Sequence, residues 1–320
     1  MDVVVAGSHG LIGSALVADL VARGDSVRRL VRRGTDPAAD PAAGSTGPAA
    51  ARPAGVRDVP WDPRVGELDP AALEGADAVV NLAGAGIGDH RWTAAYKQTL
   101  LGSRTTTTSL LARTIARSDT RPVLVNGSAI GAYGSRGDEV LTEASGRGDD
   151  FLAGLVEAWE NATSPAAEAG ARVVWLRSGV VLAPSRGALG KLLPILRLGL
   201  GGPLGSGHQW WSWIALRDEV AAIRHVVGAD VHGPVNVVAP EPTTNRAVIR
   251  ALAQALHRPA LLPVPRAALR VALGEFASDL VASQRVVPGV LARTGYVWSH
   301  TNPQDAARWV TKEDEVSAPR

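Results

Sequence analysis

A glycine-rich segment near the N-terminus has the residue types and spacing of a phosphate-binding loop. Its residues are Gly7, Ser8, His9, Gly10, Leu11, Ile12 and Gly13. In such a loop the first glycine permits a tight turn, the middle one lets a pyrophosphate approach the backbone, and the last lets a helix pack closely. The segment follows an apolar run at 2–6 and opens a helical pattern in which Ile12, Leu16 and Leu20 recur every four residues. The GxxGxxG spacing therefore predicts dinucleotide binding at a helix N-terminus, the alternative being an ordinary glycine-rich turn.

Two arginines at the end of the second predicted strand indicate which dinucleotide is bound. Arg32 and Arg33 follow the apolar run at 27–31, and Arg33 lies 20 positions after Gly13. An acidic residue at this place would bind the ribose 2′-hydroxyl of NAD, whereas arginine suits a 2′-phosphate through charge-assisted hydrogen bonds. We therefore expect NADP(H), the alternative being two solvated surface arginines.

A further cofactor contact is predicted where the fourth strand, at 78–82, ends. Leu82, Ala83 and Gly84 stand at this end. Small residues here let the ribose of a dinucleotide lie against the backbone. The segment alone is a weak signal, and its place after a fourth strand of a GxxGxxG fold strengthens it.

Alternation of apolar runs and helical patterns indicates the elements that position these residues. Strands are predicted at 2–6, 27–31, 56–59, 78–82, 122–127, 172–176 and 235–238, and helices at 11–23, 94–117, 150–169 and 217–228. Short continuous apolar strands separated by helices predict an α/β fold, a Rossmann-type doubly wound parallel sheet.

The chain divides into two predicted domains where its composition changes near residue 186. Residues 1–185 form the predicted NADP(H)-binding Rossmann domain, in which 34–55, mostly Ala, Pro and Gly, are expected to be a mobile insertion. Residues 186–320 form a smaller mixed C-terminal lobe, with 235–258 returning to the sheet.

Composition and charge exclude several classes of protein. A charged fraction of 20% and a mean hydropathy of +0.05 exclude a wholly disordered chain. The absence of cysteine excludes disulfides and thiolate sites, and the seven histidines are scattered, so we expect no metal site. A net charge of +2 gives no reason to expect nucleic-acid binding. Without a long apolar run or a signal-peptide pattern, we expect a cytoplasmic protein that does not enter a membrane.

Several motifs together resemble one family. They are Arg-Trp at 91–92, Gly-Ser-Arg at 102–104, Ser-Ala-Ile-Gly-Ala-Tyr-Gly at 128–134, Leu-Arg-Ser-Gly-Val-Val-Leu at 176–182, Leu-Gly-Leu-Gly-Gly-Pro at 198–203 and Gln-Arg-Val-Val-Pro at 284–288. The chain is similar to the extended, epimerase-like branch of the short-chain dehydrogenase/reductase superfamily. Within it, the chain resembles the atypical epimerase family proteins, also described as nucleoside-diphosphate-sugar epimerases. These carry a small C-terminal domain of unknown function, which residues 262–310 resemble.

The resemblance implies how the cofactor is held. Residues 7–13 would hold the pyrophosphate, the arginine pair the 2′-phosphate and residues 82–84 the ribose. Thr99 and Arg104 would add polar contacts from the helix after the fourth strand, and Val181 would lie near the cofactor. For Arg104 the alternative is a solvated helix arginine.

The superfamily's catalytic pair, a tyrosine followed four residues later by a lysine, is absent from this chain. The residues four positions after Tyr96, Tyr133 and Tyr296 are Leu100, Gly137 and His300. An unperturbed tyrosine titrates near 10 and needs the neighbouring lysine at neutral pH. In the region where the pair should fall, Phe151 is followed by Leu155 at the same spacing.

The resemblance leaves two candidate catalytic residues. Ser128 fits the serine that polarises the substrate carbonyl in catalytically competent relatives, and Tyr133 fits a Tyr-Gly pair that touches substrate. Our hypothesis is that Ser128 orients a carbonyl or hydroxyl while Tyr133 or a bound water supplies the proton. The alternative is that Ser128 completes a strand end and Tyr133 packs in its loop.

Two functions follow from these expectations. The first is an NADP(H)-dependent oxidoreductase or epimerase-like enzyme with an altered proton donor, acting on a small polar carbonyl or sugar-nucleotide-like substrate. The second is a non-catalytic NADP(H)-binding regulatory or scaffold protein that retains the cofactor loop and has lost the catalytic pair.

Overall fold

The computed structural model describes residues 1–32, 55–184 and 186–317, which form twelve strands and eleven α-helices. The strands are β1 (Asp2–Ala6), β2 (Ser26–Arg32), β3 (Val56–Asp62), β4 (Glu67–Leu68), β5 (Ala78–Asn81), β6 (Val123–Ala129), β7 (Val140–Leu141), β8 (Val173–Ser178), β9 (Val180–Leu182), β10 (Trp213–Ala215), β11 (Gly233–Val237) and β12 (Arg285–Val286). The helices are α1 (Leu11–Ala22), α2 (Ala94–Ala116), α3 (Phe151–Asn161), α4 (Ser164–Glu168), α5 (Gly187–Arg197), α6 (Leu216–Gly228), α7 (Asn245–Ala255), α8 (Arg266–Leu273), α9 (Phe276–Leu280), α10 (Gly289–Arg293) and α11 (Pro303–Ser317).

Eight of the strands form one mostly parallel sheet in the order β11-β8-β6-β5-β1-β2-β3-β4. Among the described strands of this sheet, only β4 runs antiparallel to its neighbour β3. From β1 the chain proceeds through β2 and β3 toward one edge, and from β5 through β6, β8 and β11 toward the other. The strand order therefore reverses between β1 and β5, and in open α/β sheets a ligand crevice lies outside the carboxyl ends of the strands at such a point.

Both faces of the sheet are covered by helices, which confirms the Rossmann-type expectation. Along β1 the side chains alternate, so that Val3 and Val5 pack in one apolar cluster with α1 and α6, while Val4 and Ala6 pack in a second with α2 and α4. All four are at most 1% exposed, which explains why β1 is a continuous apolar run.

All seven predicted strands are present, and their observed ends differ from the predicted ends by at most three residues. The predicted helix at 150–169 is two helices, because the chain turns after Asn161 and α4 begins with Pro165 in its first turn. Proline lacks the N–H that a continuous helix would need at that position. Residues 34–54 of the predicted insertion lie outside the described residues, and so does Arg33.

The C-terminal half contains a second apolar core. Trp211 and Trp213 pack there with Leu193 of α5, Leu252 of α7 and Val310 of α11. Helix α6 and strand β11 pack instead against the main sheet, where β11 pairs with β8 at the edge. Among the described helices, none is both long and apolar enough to cross a membrane.

Candidate functional site

The glycine loop lies at the point where the strand order reverses, packed against the end of β5. Gly7 has φ +80°, and a Cβ added to it would lie 2.6 Å from the carbonyl carbon of Leu82 and 2.7 Å from the nitrogen of Ala83. A Cβ on Gly13 would lie 2.2 Å from the carbonyl oxygen of Gly7. Only glycine fits at these two positions, so the loop and residues 82–83 form one closely packed edge.

The polar groups of this loop fit a pyrophosphate. Ser8 is buried, and its Oγ has no hydrogen-bond partner among the described residues. Helix α1 begins at Leu11 without a side-chain cap within the described chain and without an acidic residue in its first turn. Its first N–H groups therefore remain available to an anion. His9 and Gly10 are exposed at the tip of the loop.

Arg104 places a positive charge beside the segment that follows β5. Its Nη1 donates to the carbonyl of Ala85 at 3.0 Å, and a Cβ on Gly84 would lie 3.3 Å from the Arg104 side chain. The guanidinium lies 4.9 Å from the centre of the Trp159 ring. Burial lowers the pKa of Arg104 to about 10, and within the described parts of the chain no carboxylate pairs with it. An unpaired, partly buried cation at this edge suits an anionic ligand.

Of the two residues expected at the 2′-phosphate, the structure describes one. Arg32 is the last residue of β2 and is exposed, while Arg33 is not among the described residues. Leu30 pairs with Ala6, the last residue before the glycine loop. Arg32, two residues further along β2, therefore lies at the same edge of the sheet as that loop.

Thr99 and Val181 differ in how the structure places them. The exposed Thr99 hydroxyl donates to the carbonyl of Ala95 in its own helix, at 3.2 Å. Val181 packs against the same apolar cluster as Ile12 and Leu82. The structure therefore places Val181 against the same face of the sheet as the loop, whereas the hydrogen bond of Thr99 is within α2.

Ser128, near the carboxyl end of β6, is joined to a buried ion pair. Its Oγ donates to Oε1 of Glu160 at 2.6 Å. Arg177 donates to the same carboxylate through Nε at 2.9 Å and Nη2 at 3.0 Å, and Arg147 donates to Oε2. Burial alone would raise the pKa of Glu160, but its hydrogen bonds and the charge of Arg177 outweigh burial and hold that pKa below its usual value. Glu160 is therefore an anion, and Ser128 directs its proton toward it.

Tyr133 lies at the other end of this network, and its hydroxyl is fully engaged. The side chain is 0% exposed, the hydroxyl donates to Oδ1 of Asn236 at 2.6 Å, and it accepts from Nη1 of Arg177 at 3.1 Å. Burial raises the pKa of Tyr133, because the phenolate would be desolvated. This placement favours the structural alternative for Tyr133, and its catalytic role stays a proposal.

The region in which the superfamily's tyrosine is expected carries Phe151, an aromatic ring without a hydroxyl. Phe151 begins α3, and the Nζ of Lys97, from α2, lies 4.7 Å from the centre of its ring. Lys97 also pairs with Glu275, and Trp92 packs edge-on against Phe151 at 5.1 Å between ring centres. An ammonium group and two aromatic rings thus pack together at the start of α3.

A second buried polar cluster holds the strand ends together and was missed by sequence reasoning. Asn81 donates to Oδ1 of Asn126 at 2.7 Å and to Oγ1 of Thr108 at 2.9 Å, and Trp159 donates to the same Thr108 oxygen at 3.1 Å. These contacts join α2 and α3 to β5 and β6 directly beneath the site. The signal that could have indicated these contacts is a threonine, Thr108, in the interior of a predicted helix.

Two family models match the chain. The model of the NAD dependent epimerase/dehydratase family matches residues 3–239, and that of a domain of unknown function, DUF1731, matches residues 264–310. The first covers the glycine loop, Ser128, Glu160 and Arg177. The second covers α8, α9 and the segment that follows them.

Whole-length relatives agree with these matches. The chain is 42% identical over 311 residues to an epimerase family protein of Mycobacterium bovis, covering 97% of each chain. It is 38% identical over 307 residues to the human epimerase family protein SDR39U1, covering 93% of this chain and 96% of the human one. The crystal structure of human SDR39U1 (isoform2) with NADPH superposes with a TM-score of 0.84 at 34% identity, covering 98% of this chain and 99% of that one. The chain therefore belongs to the NAD-dependent epimerase/dehydratase family.

Proposed function

We propose that the chain is an NADP(H)-dependent oxidoreductase or epimerase-like enzyme that acts on a small polar carbonyl or sugar-nucleotide-like substrate. The glycine loop carries this proposal, because Gly7 and Gly13 leave no room for a side chain and Ser8 keeps a buried hydroxyl without a described partner. The human relative whose structure contains NADPH supports NADP(H) over NAD(H).

Each part of the cofactor has a proposed set of residues. The loop residues 7–13 hold the pyrophosphate, Arg32 and Arg33 the 2′-phosphate, and residues 82–84 the adjoining ribose. Arg104 and Thr99 add polar contacts, and Val181 provides an apolar wall. The nicotinamide of such a cofactor, when bound, accepts or donates a hydride.

The proposed chemistry of Ser128 follows from the direction of its hydrogen bond. Because its proton points toward Glu160, its oxygen lone pairs face away from the carboxylate and can accept from a substrate hydroxyl. Of the two proton donors in our hypothesis, a bound water fits better than Tyr133, whose proton is held by Asn236.

Direct binding tests the cofactor assignment. We expect NADPH to bind the wild type at least tenfold more tightly than NADH, since a 2′-phosphate gains charge-assisted hydrogen bonds. Arg33→Glu should reduce or reverse this preference, and Arg113→Glu, an exposed arginine on α2, should leave it unchanged. Equal affinities for both cofactors in the wild type would contradict NADP(H) specificity.

A non-catalytic NADP(H)-binding protein is the second candidate. The engaged hydroxyl of Tyr133 and the phenylalanine at 151 favour it, because neither can donate a proton as the superfamily's tyrosine does. Steady consumption of NADPH with a carbonyl or sugar-nucleotide substrate, lost in Ser128→Ala, supports the enzyme. Tight NADPH binding without turnover across a broad panel of such compounds supports the second candidate.

A further inference from the structure

Four leucine side chains are exposed on two neighbouring segments of the C-terminal half. They are 55–80% exposed and lie just after α5 and α7: Leu198, Leu200, Leu261 and Leu262. We call these four residues the leucine face. None of them lines either of two surface cavities of the described chain, which have volumes of about 520 and 390 Å³. At this exposure the leucines project into solvent and do not line a groove.

The two segments run side by side, which places the four leucines on one part of the surface. The nitrogen of Val264 donates to the carbonyl of Pro203 at 2.9 Å, and the nitrogen of Gly205 donates to the carbonyl of Val264 at 2.8 Å. At the other end, Nε of Arg258 donates to the carbonyl of Arg197 at 2.8 Å. On both segments the leucines lie between these contacts.

The leucine face belongs to a part of the chain that has no acidic residues. Residues 186–217 and 242–274 contain no aspartate or glutamate, and the nine lysine and arginine residues within them are all exposed. Since the whole chain has a net charge of only +2, the rest of the chain is net negative. The balanced composition therefore conceals a strongly uneven distribution of charge, which indicates an anionic partner.

Two of these arginines border the leucine face directly. Arg258 lies three residues before Leu261. Arg266 lies at the other end of the paired segments, where its Cγ would be 3.3 Å from a Cβ added to Gly205. Within the described residues, neither guanidinium pairs with a carboxylate. Exposed apolar side chains between unpaired cations are typical of a surface that lies on an anionic membrane.

A membrane surface fits these observations better than a second copy of the chain or a nucleic acid does. In a two-fold contact the same patch meets itself, so that the arginines of both copies would come together and repel. A nucleic acid would neutralise the arginines but leave the leucines in water. An anionic bilayer accommodates both groups, because its phosphates lie beside the arginines and its acyl chains lie beneath the leucines.

We propose that the leucine face and its bordering arginines dock the protein on the surface of a bilayer that contains anionic lipids. The leucines enter the boundary between headgroups and acyl chains, and Arg258 and Arg266 meet the lipid phosphates. The chain lies on the bilayer and does not span it. The glycine loop contributes no residue to this surface, so docking is independent of the cofactor and of turnover.

The test is co-sedimentation of the full chain with vesicles of phosphatidylcholine alone and with vesicles of phosphatidylcholine and phosphatidylglycerol in equal parts. We expect the wild type to bind the mixed vesicles at least about tenfold more tightly, and this binding to weaken as salt is added. Arg258→Gln/Arg266→Gln and Leu198→Ser/Leu261→Ser should each lower the partition coefficient on the mixed vesicles by about tenfold or more.

Each variant has a matched control at exposed positions elsewhere in the chain. Arg57→Gln/Arg113→Gln removes the same charge from β3 and α2. Val65→Ser/Val297→Ser removes two apolar side chains that are 69% and 83% exposed. Both controls should bind the mixed vesicles as the wild type does.

Three results overturn the inference. The first is equal binding of the wild type to both kinds of vesicle, or no binding to the mixed ones. The second is loss of binding in Arg258→Gln/Arg266→Gln but not in Leu198→Ser/Leu261→Ser, because a surface that only attracts phosphates would bind duplex DNA equally well. The third concerns a second copy and comes from sedimentation equilibrium without vesicles. We expect wild type and Leu198→Ser/Leu261→Ser to have the same molar mass, whereas a wild-type dimer that this variant converts to a monomer would assign the leucine face to a contact between copies.

Discussion

Glu160 determines the electrostatics of the polar part of the site. It is 0% exposed and accepts from Ser128, Arg147 and Arg177. A buried carboxylate is stable only when it is paired and hydrogen-bonded, and the same is true of Arg177. The orientation of the Ser128 hydroxyl is therefore set by the buried pair of Glu160 and Arg177.

Removal of this carboxylate should destabilise the fold strongly. Glu160→Ala leaves Arg177 buried without its counterion, and breaking such a pair costs about 3–5 kcal/mol. Urea unfolding measures the loss. Glu157→Ala, at an exposed position on the same helix, should change the free energy of unfolding by less than about 0.5 kcal/mol. Similar losses in the two variants would show that the buried pair contributes little.

Tyr133→Phe should lower stability without changing cofactor affinity. The ring still fills its site, but Oδ1 of Asn236 and one N–H of Arg177 lose a buried partner, at a cost of about 1–3 kcal/mol. Unfolding and NADPH titration of the same variant measure both effects. A weaker NADPH complex at unchanged stability would mean that the hydroxyl acts on the cofactor instead.

The sequence analysis did not single out Glu160, and it named Arg177 only as part of a motif, although both positions carry a local signal. Glu160 lies four residues after Val156 and seven after Ala153, on the buried face of α3, and Arg177 interrupts an apolar strand. Each position requires a buried partner. Which partner it has depends on the packing of α3 against β8, and that contact is not local in sequence.

Sequence reasoning predicted the helices and strands better than it predicted the contacts of individual residues. The predicted strand and helix pattern gave the Rossmann-type sheet, because apolar periodicity and short buried strands are local signals. The division of 150–169 into α3 and α4 was not predicted, although Pro165 indicates the start of a new helix. The loop between β1 and α1 was predicted from its glycines, and the structure explains Gly7 by its contact with residues 82–83 and Gly13 by its contact with the Gly7 carbonyl.

Gly13→Ala tests this loop as a structural unit. The new Cβ would lie 2.2 Å from the carbonyl oxygen of Gly7, so the first turn of α1 and the loop must move apart. We expect NADPH affinity to fall by at least a hundredfold. Gly102→Ala, on α2, has no atom within 4 Å of its added Cβ and should keep NADPH affinity while stabilising the helix by about 1 kcal/mol. Retained affinity in Gly13→Ala would show that the loop does not hold the cofactor.

Contacts between residues far apart in sequence join the start of α2 to the C-terminal region. Arg91 donates to the carbonyl of Val271, Lys97 pairs with Glu275, and Trp92 packs on Phe276 at 5.4 Å between ring centres. All three join the start of α2 to the segment of α8 and α9. The C-terminal region therefore contacts the residues that pack on Phe151, a relationship that no local sequence pattern could give. The domain boundary at 185–186 remains a proposal.

The stability of the whole molecule should depend on pH through Glu219. This carboxyl, in the first turn of α6, is 0% exposed, accepts from Ser178 Oγ at 2.6 Å, and has a second oxygen without a partner in the described structure. Burial raises its pKa to about 7, against the effect of the Ser178 hydrogen bond. Because the folded chain binds this proton more tightly than the unfolded chain, the stabilisation is fully present below the unfolded pKa and is lost as pH rises through about 7.

Glu219→Gln should remove this pH dependence, since the amide keeps the shape of the side chain and does not ionise. A raised pKa of this size corresponds to a difference on the order of 3 kcal/mol between the two protonation states. We therefore expect the free energy of unfolding of wild type, relative to the variant, to fall by about that amount between pH 5 and pH 8. Urea unfolding at both pH values measures it, and Glu168→Gln, an exposed residue of α4, should follow the wild type. Parallel pH profiles for wild type and Glu219→Gln would mean that Glu219 is already ionised within the fold.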